Sequence, residues 1–144
     1  MKVSHVLRQK SGAGVDTVES TALLRTAAER FIGNKVRCLV VTREKQVVGV
    51  LTLRDVLRVL HATGTLDAPV SQAMSTDVVS ATPETPLDDV QNLFAAHKIN
   101  HVPVLQDGEL VGVVTLADVL RVHLHDEAQL SAELRRYISG PSAL

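Results

Sequence analysis

The chain repeats itself, and that repetition limits its fold more than any other feature. Gly49-Val50-Leu51-Thr52-Leu53-Arg54-Asp55-Val56-Leu57-Arg58-Val59 returns 63 residues on as Gly112-Val113-Val114-Thr115-Leu116-Ala117-Asp118-Val119-Leu120-Arg121-Val122, with nine of eleven positions identical. The same offset runs ungapped back to Val15/Val78, through Leu24/Leu87, Phe31/Phe94, Lys35/Lys98 and Val41/Val104. Such a chain is two copies of one unit of roughly 60 residues, each too small to bury its apolar faces alone.

Each copy reads as β-α-β-β-α. In the first, Val15–Val18 is a short strand, and Leu24, Ala27, Ala28 and Phe31 form a helical stripe closed by Gly33-Asn34. Val36–Thr42 and Val47–Leu51 are apolar strands joined by the polar turn Arg43–Gln46, and a helix runs from Leu53 to about Ala62. Its stripe is Leu53, Val56, Leu57 and Leu60. In the second copy the strand is Val78-Val79-Ser80, and the helix carries Leu87, Val90 and Phe94. The hairpin is Asn100–Val104 and Val111–Val114 around Asp107-Gly108, and a helix runs from Leu116 to about His123.

A short helix at residues 3–9 precedes the first copy, and its counterpart is a linker helix near Pro69–Met74. Lys10-Ser11-Gly12-Ala13-Gly14 lacks the Gly-Lys-Ser/Thr ending of a phosphate loop and reads as a turn. A separate last helix, 126–138, carries Leu130, Leu134 and Ile138 at four-residue spacing. The expected divisions are 1–65 for the first repeat with its lead-in helix, 66–125 for the second with its linker, and 126–144 for the last helix and tail.

Thr52 and Thr115 stand where a helix N-cap belongs, with Asp55 and Asp118 three residues on. Two roles fit this spacing. The threonine caps the helix while the aspartate reaches back as a capping-box partner. Alternatively the hydroxyl and free N–H groups face a phosphate and the carboxylate accepts hydrogen bonds from a ribose diol. The repeat alone leaves both open.

Two copies of a unit ending Gly-apolar-x-Thr-x-x-Asp resemble a pair of cystathionine-β-synthase-type (CBS) domains. The resemblance covers nearly the whole chain, and its nearest form is the small bacterial stand-alone pair. Val3-Ser4-His5-Val6-Leu7-Arg8, Val70-Ser71-Gln72-Ala73-Met74 and Leu134-Arg135-Arg136-Tyr137-Ile138 look like that form. It implies an α+β fold in which the repeats pack through their sheets by pseudo-twofold symmetry, with a C-terminal helix added. It also implies a homodimer, a regulatory rather than catalytic role, and an adenosine-containing ligand (AMP, ADP, ATP, NAD or S-adenosylmethionine) in the clefts between repeats. The regulated target would be another protein.

Site roles follow from the resemblance. Asp55 and Asp118 would take ribose hydroxyls, and Thr52 and Thr115 phosphate oxygens. Thr17 and Ser80 would approach the adenine. Val36, Arg37 and Cys38, with Asn100, His101 and Pro103, would flank base and phosphate. Arg37 and Arg54 would pair with a phosphate in the first copy or stay solvated. The second copy, with Ala117, Asn100 and His101, would grip an anion less well, so unequal clefts are expected. Leu39-Val40-Val41 departs from the proline the second copy carries as Pro103. The rival reading is an interaction scaffold with empty clefts and purely capping Thr-x-x-Asp elements.

Composition narrows the alternatives. A formal charge of −1 gives no field to recruit nucleic acid or an anionic membrane, and aromatics at 2% with no Trp remove base-stacking platforms. Neither His123/His125 nor His97/His101 has the companions of a zinc site. Cys38 reads as a small buried hydrophobe in a strand, and no catalytic set converges. The start carries no apolar signal region and no apolar run approaches 18 residues, so the cytoplasm is the expected location.

Overall fold

The computed structural model describes residues 1–10 and 16–138, without the side chains of Leu130, Tyr137 and Ile138. Val15, the Ser11–Gly14 turn, the apolar contacts expected of Leu130 and Ile138, and the tail from residue 139 lie outside the described residues. Within them the architecture is α+β. The elements follow as α1 (Val3–Gln9), β1 (Thr17–Glu19), α2 (Leu24–Asn34), β2 (Cys38–Arg43), β3 (Gln46–Thr52), α3 (Leu53–Thr63), α4 (Leu87–His97), β4 (His101–Gln106), β5 (Glu109–Thr115) and α5 (Leu116–Ile138).

The strands form one sheet in the order β1-β2-β3-β5-β4. β1 is parallel to β2, and the other pairings are antiparallel. The copies join at a single register pair, Gln46 with Glu109. These two residues are counterparts at the repeat offset, so the pseudo-twofold axis relating the copies passes between them. Both hairpins carry a register shift at equivalent places, Val41/Thr42 and Val104/Leu105.

Three local expectations are corrected. Val78-Val79-Ser80 is not a strand; the second copy keeps only an isolated bridge from Ala81 to Val104. Proline explains the loss. In the first copy Ser20 N–H donates to the Thr42 carbonyl and Val40 N–H to the Asp16 carbonyl. Their counterparts are Pro83 and Pro103, which have no N–H to give. The linker is a single 3₁₀ turn, Val70–Gln72, rather than an α-helix. Finally, α5 is continuous from Leu116 to Ile138 where two helices were expected. α3 stops at Gly64, which takes φ 76° and donates its N–H to the Leu60 carbonyl. The position equivalent to Gly64 is Glu127, and no glycine or proline interrupts α5.

The two cores exchange segments. Val3 and Val6 of α1 are buried with Leu87, Phe94, Val102 and Val114 of the second copy. Val70 and Ala73 of the linker are buried with Leu24, Phe31, Leu39 and Leu51 of the first. Each copy's lead-in therefore completes the other's core, tying the repeats together more firmly than one strand pair would. The stripe read on α3 divides: Val56 is buried, whereas Leu53, Leu57 and Leu60 are exposed.

Candidate functional site

Both Thr-x-x-Asp elements stand where a central strand turns into a helix. Thr52, in extended conformation (φ −110°, ψ 163°), caps α3. The Asp55 N–H donates to Thr52 Oγ1 at 3.3 Å, while Asp55 Oδ2 accepts from the Thr52 N–H at 2.9 Å and from its hydroxyl at 3.0 Å. At the start of α5 the Asp118 N–H donates to Thr115 Oγ1 at 3.1 Å, and the Thr115 N–H to Asp118 Oδ2 at 2.9 Å. The capping geometry is thus present twice.

Arginines hold the other carboxylate oxygens. Arg58 donates to Asp55 Oδ1 at 2.9 Å and to the Ala73 carbonyl at 3.1 Å, linking the first Thr-x-x-Asp to the linker turn. Arg121 donates to Asp118 Oδ1 at 2.5 Å. Here the copies diverge. Asp118 Oδ2 also accepts from Lys10 Nζ at 3.0 Å, and Lys10 donates to the Val113 carbonyl at 2.9 Å. The Asp118 side chain is 2% exposed and that of Asp55 13%.

The adjacent strands bring one further group to each helix start. Cys38 pairs across with Thr52, and His101 with Thr115. Burial, reinforced by the Asp55 charge, pushes the Cys38 thiol up to about 12. It is a neutral thiol at physiological pH. Burial also lowers the pKa of His101; the Arg37 and Lys10 charges add to this and Asp118 opposes them. For Asp118, burial alone would raise the pKa, but the Thr115 N–H, Lys10 and Arg121 outweigh it and hold the carboxyl below its ordinary value.

The remaining predicted residues surround these two groups. Thr17 pairs with Val40, so it lies one strand beyond the hairpin, and its carbonyl accepts from the Arg30 guanidinium. Ser80 is exposed beside the Ala81 bridge. Val36 is half-buried against the first core. Pro103 is buried in β4, and its carbonyl accepts from Ala81 N–H at 2.9 Å. Arg54 is exposed on the first turn of α3; Asn100 is also exposed, its carbonyl accepting from Leu116 N–H at 2.9 Å. Arg37 is exposed too, and its charge acts on His101 of the other copy. So Cys38, Thr52 and Asp55 come together, as do His101, Thr115 and Asp118, while Thr17 and Ser80 stand apart from them.

Sequence reasoning missed Lys10, which it placed in a turn. The signal would have been the exchange of lead-in segments, which brings the end of α1 to the second copy's sheet. A cavity of about 340 Å³ lies beside it, walled by Val6, Gln9, Lys10, Asp118, Arg121 and Val122 among others. Among the described residues no three His, Cys, Asp or Glu side chains are grouped to hold a metal ion, and no helix is long and apolar enough to cross a membrane.

The sequence model of the CBS domain matches residues 13–62 and 70–125. A CBS domain-containing protein of Bacillus subtilis is 33% identical over 119 residues, covering 82% of this chain and 85% of that protein. Among solved structures, a CBS-domain containing protein from Agrobacterium tumefaciens superposes with a TM-score of 0.77 at 28% identity, over 85% of this chain and 99% of the other. A CBS domain protein from Pyrobaculum aerophilum complexed with AMP gives a TM-score of 0.72 at 26% identity, over 82% of this chain and 89% of that one. Two matched segments, each ending in the same Thr-x-x-Asp helix start, leave one assignment: the chain belongs to the CBS domain family and carries two copies of that domain in tandem.

Proposed function

We propose that this chain is a non-catalytic regulatory module of the cytoplasm that binds an adenosine-containing ligand between its repeats and signals through the geometry of a homodimer. AMP, ADP, ATP, NAD and S-adenosylmethionine are the candidate ligands. One observation carries the reading: a helix N-terminus with a threonine hydroxyl and an aspartate occurs twice, beside a half-buried strand residue, in a chain similar to a protein complexed with AMP. In this reading Asp55, the more exposed of the two carboxylates, accepts the ribose hydroxyls, and Thr52 with the first N–H groups of α3 faces the phosphate. The neutral Cys38 thiol fits a binding cleft better than a nucleophile.

Signalling would follow from linkage. A ligand contacting both copies favours the arrangement it bridges by RT ln(1 + [L]/Kd), about 2.7 kcal/mol at a hundredfold excess over Kd. Leu53, Leu57, Leu116 and Leu120, at equivalent positions on α3 and α5, are exposed and supply a symmetric apolar face for a second copy. Dimer geometry would then carry the signal to a target protein.

The test is a thermal-shift panel of the adenosyl compounds with GTP as control, followed by titration calorimetry on Asp55→Ala. A dose-dependent rise confined to adenosyl ligands, and a loss of roughly 1.5–3 kcal/mol in affinity on Asp55→Ala, are expected if the carboxylate bonds the ribose. No shift at millimolar ligand with folded protein overturns the reading. It would favour the second one, a ligand-free interaction scaffold, which draws on the capping partners that both carboxylates already have.

A further inference from the structure

We infer that Lys10 makes the two clefts unequal: its ammonium occupies the Asp118 carboxylate as a built-in counter-ion, so a ligand diol reaches the second Thr-x-x-Asp only by displacing it. The inference rests on the adenosyl-binding reading and assigns Lys10 as the residue that decides which cleft fills first.

The geometry is specific. Lys10 Nζ lies 3.0 Å from Asp118 Oδ2 and 2.9 Å from the Val113 carbonyl, so two of its three donors point into the strand-to-helix corner where a diol would dock. Arg121 holds the other oxygen at 2.5 Å, and the Thr115 N–H shares Oδ2 at 2.9 Å. The carboxylate is engaged on both oxygens, as that of Asp55 is by Thr52 and Arg58, but its side chain is only 2% exposed and one of its partners is an ammonium from the other copy's lead-in. In the first copy the equivalent oxygen, Asp55 Oδ2, accepts from Thr52 alone among the described residues.

Lys10 reaches this place because α1 is exchanged. Val3 and Val6 anchor the helix in the second core, and the chain leaves it at Lys10, beside β5. At the lead-in offset the residue equivalent to Lys10 is Asp77, an exposed acid at the first copy's corresponding junction. A carboxylate there could not neutralise Asp55. The repeat thus carries opposite charges at equivalent places. At 39% exposure the lysine side chain remains close enough to solvent to swing away, which a removable plug requires.

The experiment is AMP titration by calorimetry on the full chain and on Lys10→Met and Lys10→Arg, each with and without Asp55→Ala. Circular dichroism confirms folding, and Lys10→Arg keeps the charge. In the Asp55→Ala background, where the first cleft is weakened, Lys10→Met should raise AMP affinity about three- to tenfold, the range for losing one partly exposed charged hydrogen bond. Lys10→Arg should show no such gain. Unchanged or weakened binding in Lys10→Met, with first-cleft binding intact in the parent chain, overturns the plug and leaves the nucleotide reading standing. Absence of AMP binding in every variant, Lys10→Met included, overturns both.

Discussion

Leu7 lies directly on Gly112: a Cβ added at that glycine would stand 2.6 Å from Leu7 Cδ2. Met74 lies on Gly49 in the same way, with Sδ 2.6 Å from the corresponding point. Gly49 and Gly112 are repeat counterparts, and so are Met74 and Leu7 within the lead-in segments. The glycines that open the repeated stretch are thus the seats of the exchanged segments. Their surroundings differ in one respect. At Gly49 the added atom would also meet the backbone carbonyl of Ser75 at 2.8 Å, whereas at Gly112 the three nearest atoms all belong to the Leu7 side chain. Gly49→Ala should therefore cost about 1–3 kcal/mol, the usual range for overpacking a fixed core, and Gly112→Ala distinctly less. Urea midpoints of the two variants check this, and equal losses would contradict the asymmetry.

The repeat made the element order legible, because one period read twice fixes each strand and helix against its counterpart. The Thr52/Asp55 and Thr115/Asp118 pairs were legible for the same reason. The exchange of lead-ins was not, since the offset pairs Val3-Ser4-His5-Val6-Leu7 with Val70-Ser71-Gln72-Ala73-Met74 but does not say which copy's core each segment enters. Lys10 was lost with it. The missing strand at Val78–Ser80 was written in Pro83 and Pro103, but only against the partners Ser20 and Val40, whose ladder bonds those prolines cannot make. The continuity of α5 followed from Glu127 standing where the first copy has Gly64.

The two hairpin turns are equivalent in backbone but not in sequence. Asp107-Gly108 takes φ values of 54° and 80°, and Glu44-Lys45 takes 51° and 69°. Left-handed backbone costs a side-chain-bearing residue about 1–2 kcal/mol, which glycine avoids at some expense in unfolded-state entropy. Lys45→Gly should accordingly raise stability by about 0.5–1 kcal/mol, read as a higher Tm. A lower Tm would mean that the lysine makes a compensating contact.

His101 should titrate below 6.5, because burial and the charges of Arg37 and Lys10 together outweigh Asp118. An unfolded chain takes up this proton near its ordinary pKa while the folded chain resists it, so His101 removes stability as pH falls through 6.5. Ring-proton NMR should show the midpoint rising in Arg37→Gln and falling in Asp118→Asn. A midpoint at or above 6.5 in the parent chain would contradict this environment.

Asp118 has the opposite pH signature. Its folded pKa lies below the ordinary 3.8, so its contribution is present at neutral pH and is lost as acid carries the solution through the folded value. The stability gap between the parent chain and Asp118→Asn should be widest above the ordinary carboxylate value and should close as the pH falls through the lowered folded value, where the carboxylate takes up its proton. Denaturant melts across that window measure the gap directly; a gap independent of pH would mean that the ion pair with Lys10 and Arg121 contributes only through shape.

The exposed leucines separate association from folding. Leu57 is 56% exposed on α3, and its counterpart Leu120 is 53% exposed on α5, while the neighbouring Val56 and Val119 are buried. A side chain already in water contributes little to the single chain's core, so changing it to a charged residue should leave monomer stability within about 0.5 kcal/mol. The same change placed at the centre of an apolar dimer face buries an unpaired charge and abolishes association. If the proposed homodimer forms through this face, Leu57→Glu with Leu120→Glu should leave a folded monomer in sedimentation equilibrium, with an unchanged far-ultraviolet spectrum. A dimer that survives both substitutions places the interface elsewhere. A chain that unfolds shows instead that these leucines are needed for the fold, which their exposure argues against.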